Sequence, residues 1–204
     1  MIVIVDYEAG NVGSILNMLS RMGHQALLSG DPDVIRRASH VILPGVGAFD
    51  YGMSKLATRG IIWALEEKKA AGTPVLGICL GAQLMCKSSE EGVLPGLSWI
   101  DAHVIRFPGE VDGKRYQVPH IGWDVIAPSK ASRLFESEIE EWRFYFVHSY
   151  FIRCGVAADV LAPARYGVPF HAAFERDNIV GVQFHPEKSH RFGKALLKNF
   201  IEKY

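Results

Sequence analysis

The stretch Pro74-Val75-Leu76-Gly77-Ile78-Cys79-Leu80-Gly81-Ala82-Gln83 constrains the fold more than any other in the chain. A short run rich in Val, Leu and Ile reads as a buried strand. It stops at Gly-x-Cys-x-Gly, where a helix-compatible segment, Leu80 to Cys86, takes over. That is the pattern of a nucleophile elbow with sulfur in place of the usual hydroxyl. Glycines two before and two after Cys79 leave room for a sharp turn that a Cβ would crowd. A residue there opens a helix, whose aligned peptide dipoles favour negative charge. A lone cysteine after an apolar strand also serves as a small core residue. Its chemistry therefore depends on finding a base.

The elbow sits inside a repeated alternation. Ile2–Val5 is a continuous apolar run suited to a strand buried on both faces. Val12, Ile15, Leu16, Leu19 and Met22 follow at helical spacing, and Gly23 closes that helix. Residues 25–28 read as a second strand, Asp31-Pro32 as the cap of a short helix, and 40–43 as a third strand. Pro44-Gly45-Val46-Gly47-Ala48-Phe49 is a loop whose N–H groups could face a ligand, or a plain tight turn. One long helix is expected over about 52–71. Such alternation predicts an α/β domain with a mainly parallel sheet flanked by helices. The elbow then lies at a strand's C-terminal end, where open α/β sheets place their sites.

After Glu90-Glu91-Gly92 the strands shorten and turns multiply. Segments at 97–105, 144–150, 159–166, 170–174 and 179–184 read as a mixed or antiparallel extension of the sheet. Residues 191–204 form a closing helix, and no linker divides the chain, so 1–204 is expected to be one domain. Lys+Arg and Asp+Glu are both 22, so no charge excess points to nucleic acid or an anionic membrane. The start has no signal-peptide character, and no apolar run has the length of a membrane span. Three cysteines make no disulfide framework, which suits a reducing cytoplasm. With no zinc-type Cys/His spacing and no G-x-G-x-x-G, neither metal nor other cofactor is expected.

A base is offered by Gly181-Val182-Gln183-Phe184-His185-Pro186-Glu187-Lys188-Ser189. A cysteine nucleophile needs an imidazole to carry its proton, and the imidazole needs a partner that holds its tautomer. His185 and Glu187 are two apart, and in extended backbone they share a face. Pro186 pushes His185 toward that extended conformation. A solvated His and Glu at a strand end is the alternative.

Gly77-Ile78-Cys79-Leu80-Gly81-x-Gln83 taken with Phe184-His185-Pro186-Glu187 resembles the triad (class I) glutamine amidotransferases, which have a flavodoxin-like fold. Four more stretches resemble one branch, the glutaminase subunit of imidazole glycerol phosphate synthase of histidine biosynthesis. They are Asp6-Tyr7-x-x-Gly10-Asn11, residues 44–49, Val118-Pro119-His120-x-Gly122-Trp123 and Phe144–Tyr150. The resemblance implies that Cys79 attacks the amide carbon of L-glutamine, with His185 as base and acid and Glu187 orienting it. It implies oxyanion donors at Leu80 and in the loop at Val46 and Gly47, whose peptide reorients when the partner binds its own substrate. It places Gly45, Gln83, Glu91, His148 and Ser149 around glutamine. It implies a heterodimer in which ammonia passes into a (βα)8-barrel cyclase, with Asn11, Trp123, Tyr145 and Lys188 at the interface. Without the family, Trp123 would read as a core aromatic and Lys188 as a surface charge.

Two positions depart from the family pattern. Glu8 replaces a usual Gly and Asp124 a usual Asn, both in stretches expected to face the barrel. Residues 13–18 and 188–193 also resemble a paralogous branch that supplies ammonia for sugar amidation in surface polysaccharide synthesis. An inactive scaffold and a cysteine peptidase of related fold are the remaining alternatives. The intact Cys79, His185 and Glu187 oppose the first, and the fit of Gln83 and the 44–47 loop to a small amide opposes the second.

Overall fold

The computed structural model describes residues 1–10 and 12–204; the expectation for Asn11 falls outside the described residues. Four strands carry the first half: β1 (Ile2–Val5), β2 (Ala26–Ser29), β3 (His40–Gly45) and β4 (Val75–Cys79). Helices α1 (Val12–Arg21), α2 (Pro32–Arg36), α3 (Phe49–Thr58) and α4 (Ile61–Ala70) connect them, and α5 (Leu80–Leu84) leaves β4. The second half holds β5 (Ser88–Ser89), β6 (Ala102–Arg106), β7 (Glu110–Val111), β8 (Lys114–Arg115), β9 (His120–Ile126), β10 (Trp142–His148) and β11 (Tyr150–Cys154). The chain ends with β12 (Val160–Tyr166), β13 (Val168–Arg176), β14 (Ile179–Val182) and α6 (His190–Lys203).

The main sheet has the order β12-β13-β14-β4-β3-β1-β2. The five strands from β14 to β2 run parallel, and β13 and β12 add an antiparallel edge. Its apolar runs are continuous because both faces are covered. Ile2, Ile4, Ile42, Leu76, Ile78, Val180 and Val182 belong to one core with the inner sides of α1 and α6. Val3, Val5, Val41, Leu43, Val75 and Ile179 belong to a second core with α2 to α5. Side chains alternate between faces along each strand, so one apolar run feeds both cores. Each fully buried Val, Ile or Leu contributes about 1.5–3 kcal/mol.

Two expectations need correction. The single helix at 52–71 is two helices, because Gly60 takes a left-handed φ of 67° and closes α3 just before α4 begins. Only β12 to β14 extend the main sheet, while β9–β10, β11-β6-β5 and β7–β8 form small sheets of their own. Strand β10 shows why: Trp142, Phe144, Phe146 and His148 point inward while Arg143, Tyr145 and Val147 point outward. A strand patterned on one face cannot be buried on both. Glu8, half exposed, pairs with Lys55 of α3 and with Arg59 just beyond it, at a φ of 64° where glycine is at home. Asp124 is also paired, its Oδ2 lying 3.0 Å from Nε2 of buried His120. Among the described residues no helix is long and apolar enough to cross a membrane.

The close approach of α5 to β3 makes Gly81 the least replaceable residue of the frame. A Cβ there would lie 1.8 Å from the Leu43 carbonyl oxygen. Gly81→Ala is expected to cost more than about 3 kcal/mol, lowering Tm by roughly 6–12 °C for a chain of this size. Gly109→Ala, which meets nothing within 4 Å, should stay within about 0.5 kcal/mol of the native protein. Thermal denaturation of the two variants checks both values.

Candidate active site

Three neighbouring parallel strands bring the site together at their C-terminal ends. Strand β4 ends at Cys79, which is paired in register with Gly45 at the end of β3. On its other side Val182 of β14 pairs with Ile78, so Gln183 emerges next to Cys79 and His185 follows. Cys79 has φ 52° and ψ −109°, a strained conformation for a residue with a Cβ. The turn is possible because its flanks lack side chains: a Cβ at Gly77 would lie 2.7 Å from the Ala82 Cα.

His185 is 1% exposed, and its Nδ1 lies 2.7 Å from Glu187 Oε1. The sequence argument had Glu187 reach it by strand alternation. Instead Pro186–Lys188 forms a 3-10 turn that folds the carboxylate back onto the ring. The His185 backbone is pinned at both ends, its N–H donating to the Tyr145 carbonyl at 2.9 Å and its carbonyl accepting from Ser189 Oγ at 2.6 Å. Ser189 Oγ also accepts from the Tyr145 N–H at 3.0 Å. Nε2 has no hydrogen-bond partner among the described residues, which leaves it available to the sulfur. Burial opposes a charge on the ring, but contact with the Cys79 sulfur and the Glu187 carboxylate more than offsets it. The His185 pKa is pushed up to about 10.

A cleft of about 580 Å³ opens over Cys79. Its walls include Val46, Gly47, Leu80, Gln83, Glu91, His148, Ser149 and Lys188. Gly45 lies behind the wall, where a Cβ would meet Tyr7 Oη at 2.3 Å and Leu80 Cβ at 2.8 Å. At the start of α5 the first N–H groups have no carbonyl partner within the helix and are free to receive an oxyanion. The Val46 N–H instead donates to the Ala9 carbonyl at 3.4 Å. Glu91 Oε2 accepts from the Phe49 N–H at 2.9 Å, so this cleft residue also caps α3. Burial drives the His148 pKa down to about 3, so the ring is neutral. Its Nδ1–H donates to the Tyr150 carbonyl at 2.8 Å, and Nε2 remains an acceptor without a partner among the described residues.

Trp123 and Tyr145 lie outside the cleft, on the outer face of the β9–β10 ribbon, where they are paired in register. Trp123 is 46% exposed, against the core reading, and its indole stacks flat on His190 at 5.6 Å. Lys188 reaches over the Tyr145 ring at 5.8 Å. Sequence reasoning missed Tyr7, Gln183 and Ser189. Tyr7 is fully buried and its hydroxyl donates to the Pro44 carbonyl at 2.7 Å. Gln183 interrupts the apolar run of 179–184 while being 0% exposed, and a polar residue in such a run was the available signal.

A family model for the class-I glutamine amidotransferases matches residues 3–204. The chain belongs to that family. Among similar proteins, this glutamine amidotransferase is 46% identical to "Imidazole glycerol phosphate synthase subunit HisH 2" of Methanococcus maripaludis over 99% of both chains. It is 47% identical to the protein of the same description from Pseudomonas aeruginosa, again over 99% of both. The solved structure described as a glutamine amidotransferase superposes with a TM-score of 0.75 at 18% identity, covering 98% of this chain and 97% of that one. That of PurLQS from Thermotoga maritima gives 0.74 at 16%, covering 98% and 96%. At those identities the superpositions speak for the fold, which is that of the family.

The raised His185 pKa has a testable sign. A base whose pKa rises on folding adds stability that is complete below its unfolded value of 6.5 and lost as pH climbs through about 10. Glu187→Gln removes one of the two supports. The stability gap between native protein and variant should therefore be full near pH 6 and close as pH rises through about 10. Urea midpoints measured across that range read the gap directly.

Proposed function

We propose that this chain is the glutaminase subunit of an imidazole glycerol phosphate synthase. It hydrolyses L-glutamine and delivers ammonia to a cyclase partner, a (βα)8 barrel, within a cytoplasmic heterodimer of histidine biosynthesis. The whole chain, 1–204, acts as one catalytic domain. The observation that carries the reading is the buried His185, held at 2.7 Å by Glu187 and raised in pKa by the neighbouring Cys79, whose own side chain lines an open cleft.

The Cys79 sulfur attacks the side-chain carbonyl carbon of glutamine, and the oxygen gathers negative charge against the Leu80 N–H. His185 holds the proton and gives it to the departing nitrogen, so ammonia leaves and a thioester remains. The neutral ring then takes a proton from water as water attacks the thioester, releasing glutamate and the sulfur. Glu187 keeps the ring aimed throughout, in the manner of a triad acid. Gln83, Glu91, His148 and Ser149 surround the amino-acid end of the substrate. No cofactor or metal takes part in this sequence of bonds.

The Val46 N–H donates to Ala9 rather than into the cleft, so the second oxyanion donor is turned away. That supports a resting state in which the 44–47 peptide must reorient before full turnover. The ribbon face of Ile121, Trp123 and Val125, each about half exposed, supports a partner surface next to that loop. Lys188 and Tyr145 lie at its edge, and Asn11 belongs to the same reading.

One observation favours a second acceptor, a sugar amidated in surface polysaccharide synthesis. The two stretches that resemble that branch converge on one groove, lined by Ser14, Asn17, Met18, Lys188, His190 and Arg191. Glutamate release assayed alone, and with each class of synthase partner plus its own substrate, tests both. The isolated chain should turn over slowly, the cyclase with its nucleotide should stimulate it on the order of a hundredfold or more, and Cys79→Ala should abolish it. High constitutive activity in the isolated chain would remove the gating, and stimulation only by a sugar-amidating partner would move the chain to the second acceptor.

A further inference from the structure

Gln183 is 0% exposed at the end of β14, in the run Ile179-Val180-Gly181-Val182-Gln183-Phe184. An amide buried among apolar neighbours costs stability unless its polar atoms are met, and an apolar side chain would fill the same space. Its partners are two residues of the cleft wall. Its Nε2 donates to Cys79 Sγ at 3.8 Å, and its Oε1 accepts from Gln83 Nε2 at 3.2 Å. Gln83 Nε2 also donates to the Tyr150 carbonyl at 3.0 Å.

The direction of this chain is imposed from its far end. The Tyr150 carbonyl can only accept, so the Gln83 group facing it is the amide nitrogen. The second hydrogen of that nitrogen needs an acceptor, so the group of Gln183 facing Gln83 is its oxygen. The nitrogen of Gln183 is then turned to the sulfur. His148 Nδ1–H donates to the same Tyr150 carbonyl at 2.8 Å. The polarity of three hydrogen bonds is thus fixed by one backbone oxygen, and it ends in an uncharged N–H aimed at Cys79.

We infer that Gln183 is a positioning residue of the glutaminase reaction, which aims the nucleophilic sulfur through a neutral donor fixed by Gln83 and the Tyr150 carbonyl. The inference rests on Cys79 being the nucleophile. A neutral donor suits this place. It stabilises negative charge on sulfur without competing with His185 for the proton, and it remains while the sulfur gains and loses its bond to carbon. A second cation there would oppose the charge on His185 instead. Sulfur is thereby held between the imidazole and an amide that come from the same strand end, two positions apart.

Iodoacetamide labelling of Cys79 tests this without requiring glutamine turnover. Gln183→Met keeps the volume and removes the donor, and Gln183→Glu keeps the acceptor for Gln83 while removing the donor. Both should slow Cys79 alkylation at pH 7 about tenfold and move its half-maximal pH upward. In glutamate release they should lower kcat about tenfold with KM within about twofold. A purely structural role would change yield or KM but leave the alkylation profile where it was, and that result in either folded variant overturns the inference. If neither variant folds, the native protein serves: a shift of the Gln183 side-chain amide proton as the sulfur ionises supports the bond, and an unmoved resonance overturns it. Native Cys79 that labels no faster than Cys154 would instead sink the nucleophile reading itself.

Discussion

Cys79 occupies a backbone conformation that costs a residue with a Cβ about 1–3 kcal/mol, and the rest of the structure is arranged to enforce it. The enforcement is steric. α5 must leave β4 so abruptly that Gly77 passes within van der Waals contact of Ala82 and Gly81 rests against the Leu43 carbonyl. Neither segment can relax, because β4 is the central strand of seven and is buried on both faces. Strain held in this way keeps the buried Cys79 turned toward the cleft that opens over it. The same contacts tie the elbow to β3, so the loop at 44–47 begins at a place that cannot move. Only the residues beyond Gly45 are free to take a second arrangement.

Strand order then does the work of bringing distant residues together. Parallel neighbours β3, β4 and β14 end at the same level, and register sets Gly45 and Gln183 on either side of Cys79. Much of this was legible in the sequence because the physics involved is local. Continuous apolar runs report strands buried on both faces, glycines at 77 and 81 report a turn without room, and His-Pro-Glu reports a constrained pair. The remainder depends on partners that no local pattern names. That Gln183 faces sulfur follows from the pairing of Val182 with Ile78. That Glu187 reaches His185 through a turn follows from the packing of Pro186 against Gly193, where a Cβ would lie 1.7 Å from the Pro186 carbonyl oxygen. Gly60 shows the reverse error: helical periodicity continued across it, and a single left-handed residue was enough to end the helix.

The loop that would complete the oxyanion hole is held by two bonds of different quality. Tyr7 Oη donates to the Pro44 carbonyl at 2.7 Å inside the core, while the Val46 N–H reaches Ala9 at a long 3.4 Å. The first bond anchors the loop where it leaves β3. The second is weak and lies in half-exposed surroundings, so breaking it costs little, and Gly47 at φ 108° already sits where glycine alone is unstrained. On the proposed reading this is a bistable element with its hinge at a fixed end. Binding energy from a partner needs to exceed only one poor hydrogen bond and the reordering of two residues.

On the same proposed reading, that energy would be applied at the ribbon. Its outer face carries Ile121, Trp123 and Val125 in the open, an apolar stripe that water covers only at a cost in the free chain. The stripe is not remote from the chemistry. Trp123 stacks on His190 and Lys188 lies over Tyr145, while the Tyr145 backbone both accepts from the His185 N–H and donates to Ser189. Pressure on this face would therefore be carried by these Tyr145 backbone hydrogen bonds, of 2.9 and 3.0 Å, to the segment that holds the imidazole. Val147, also outward on β10, lines the cleft itself. A partner seated on the ribbon would touch the base's support and the cleft's rim through one element, which makes coupling between partner binding and turnover a consequence of packing.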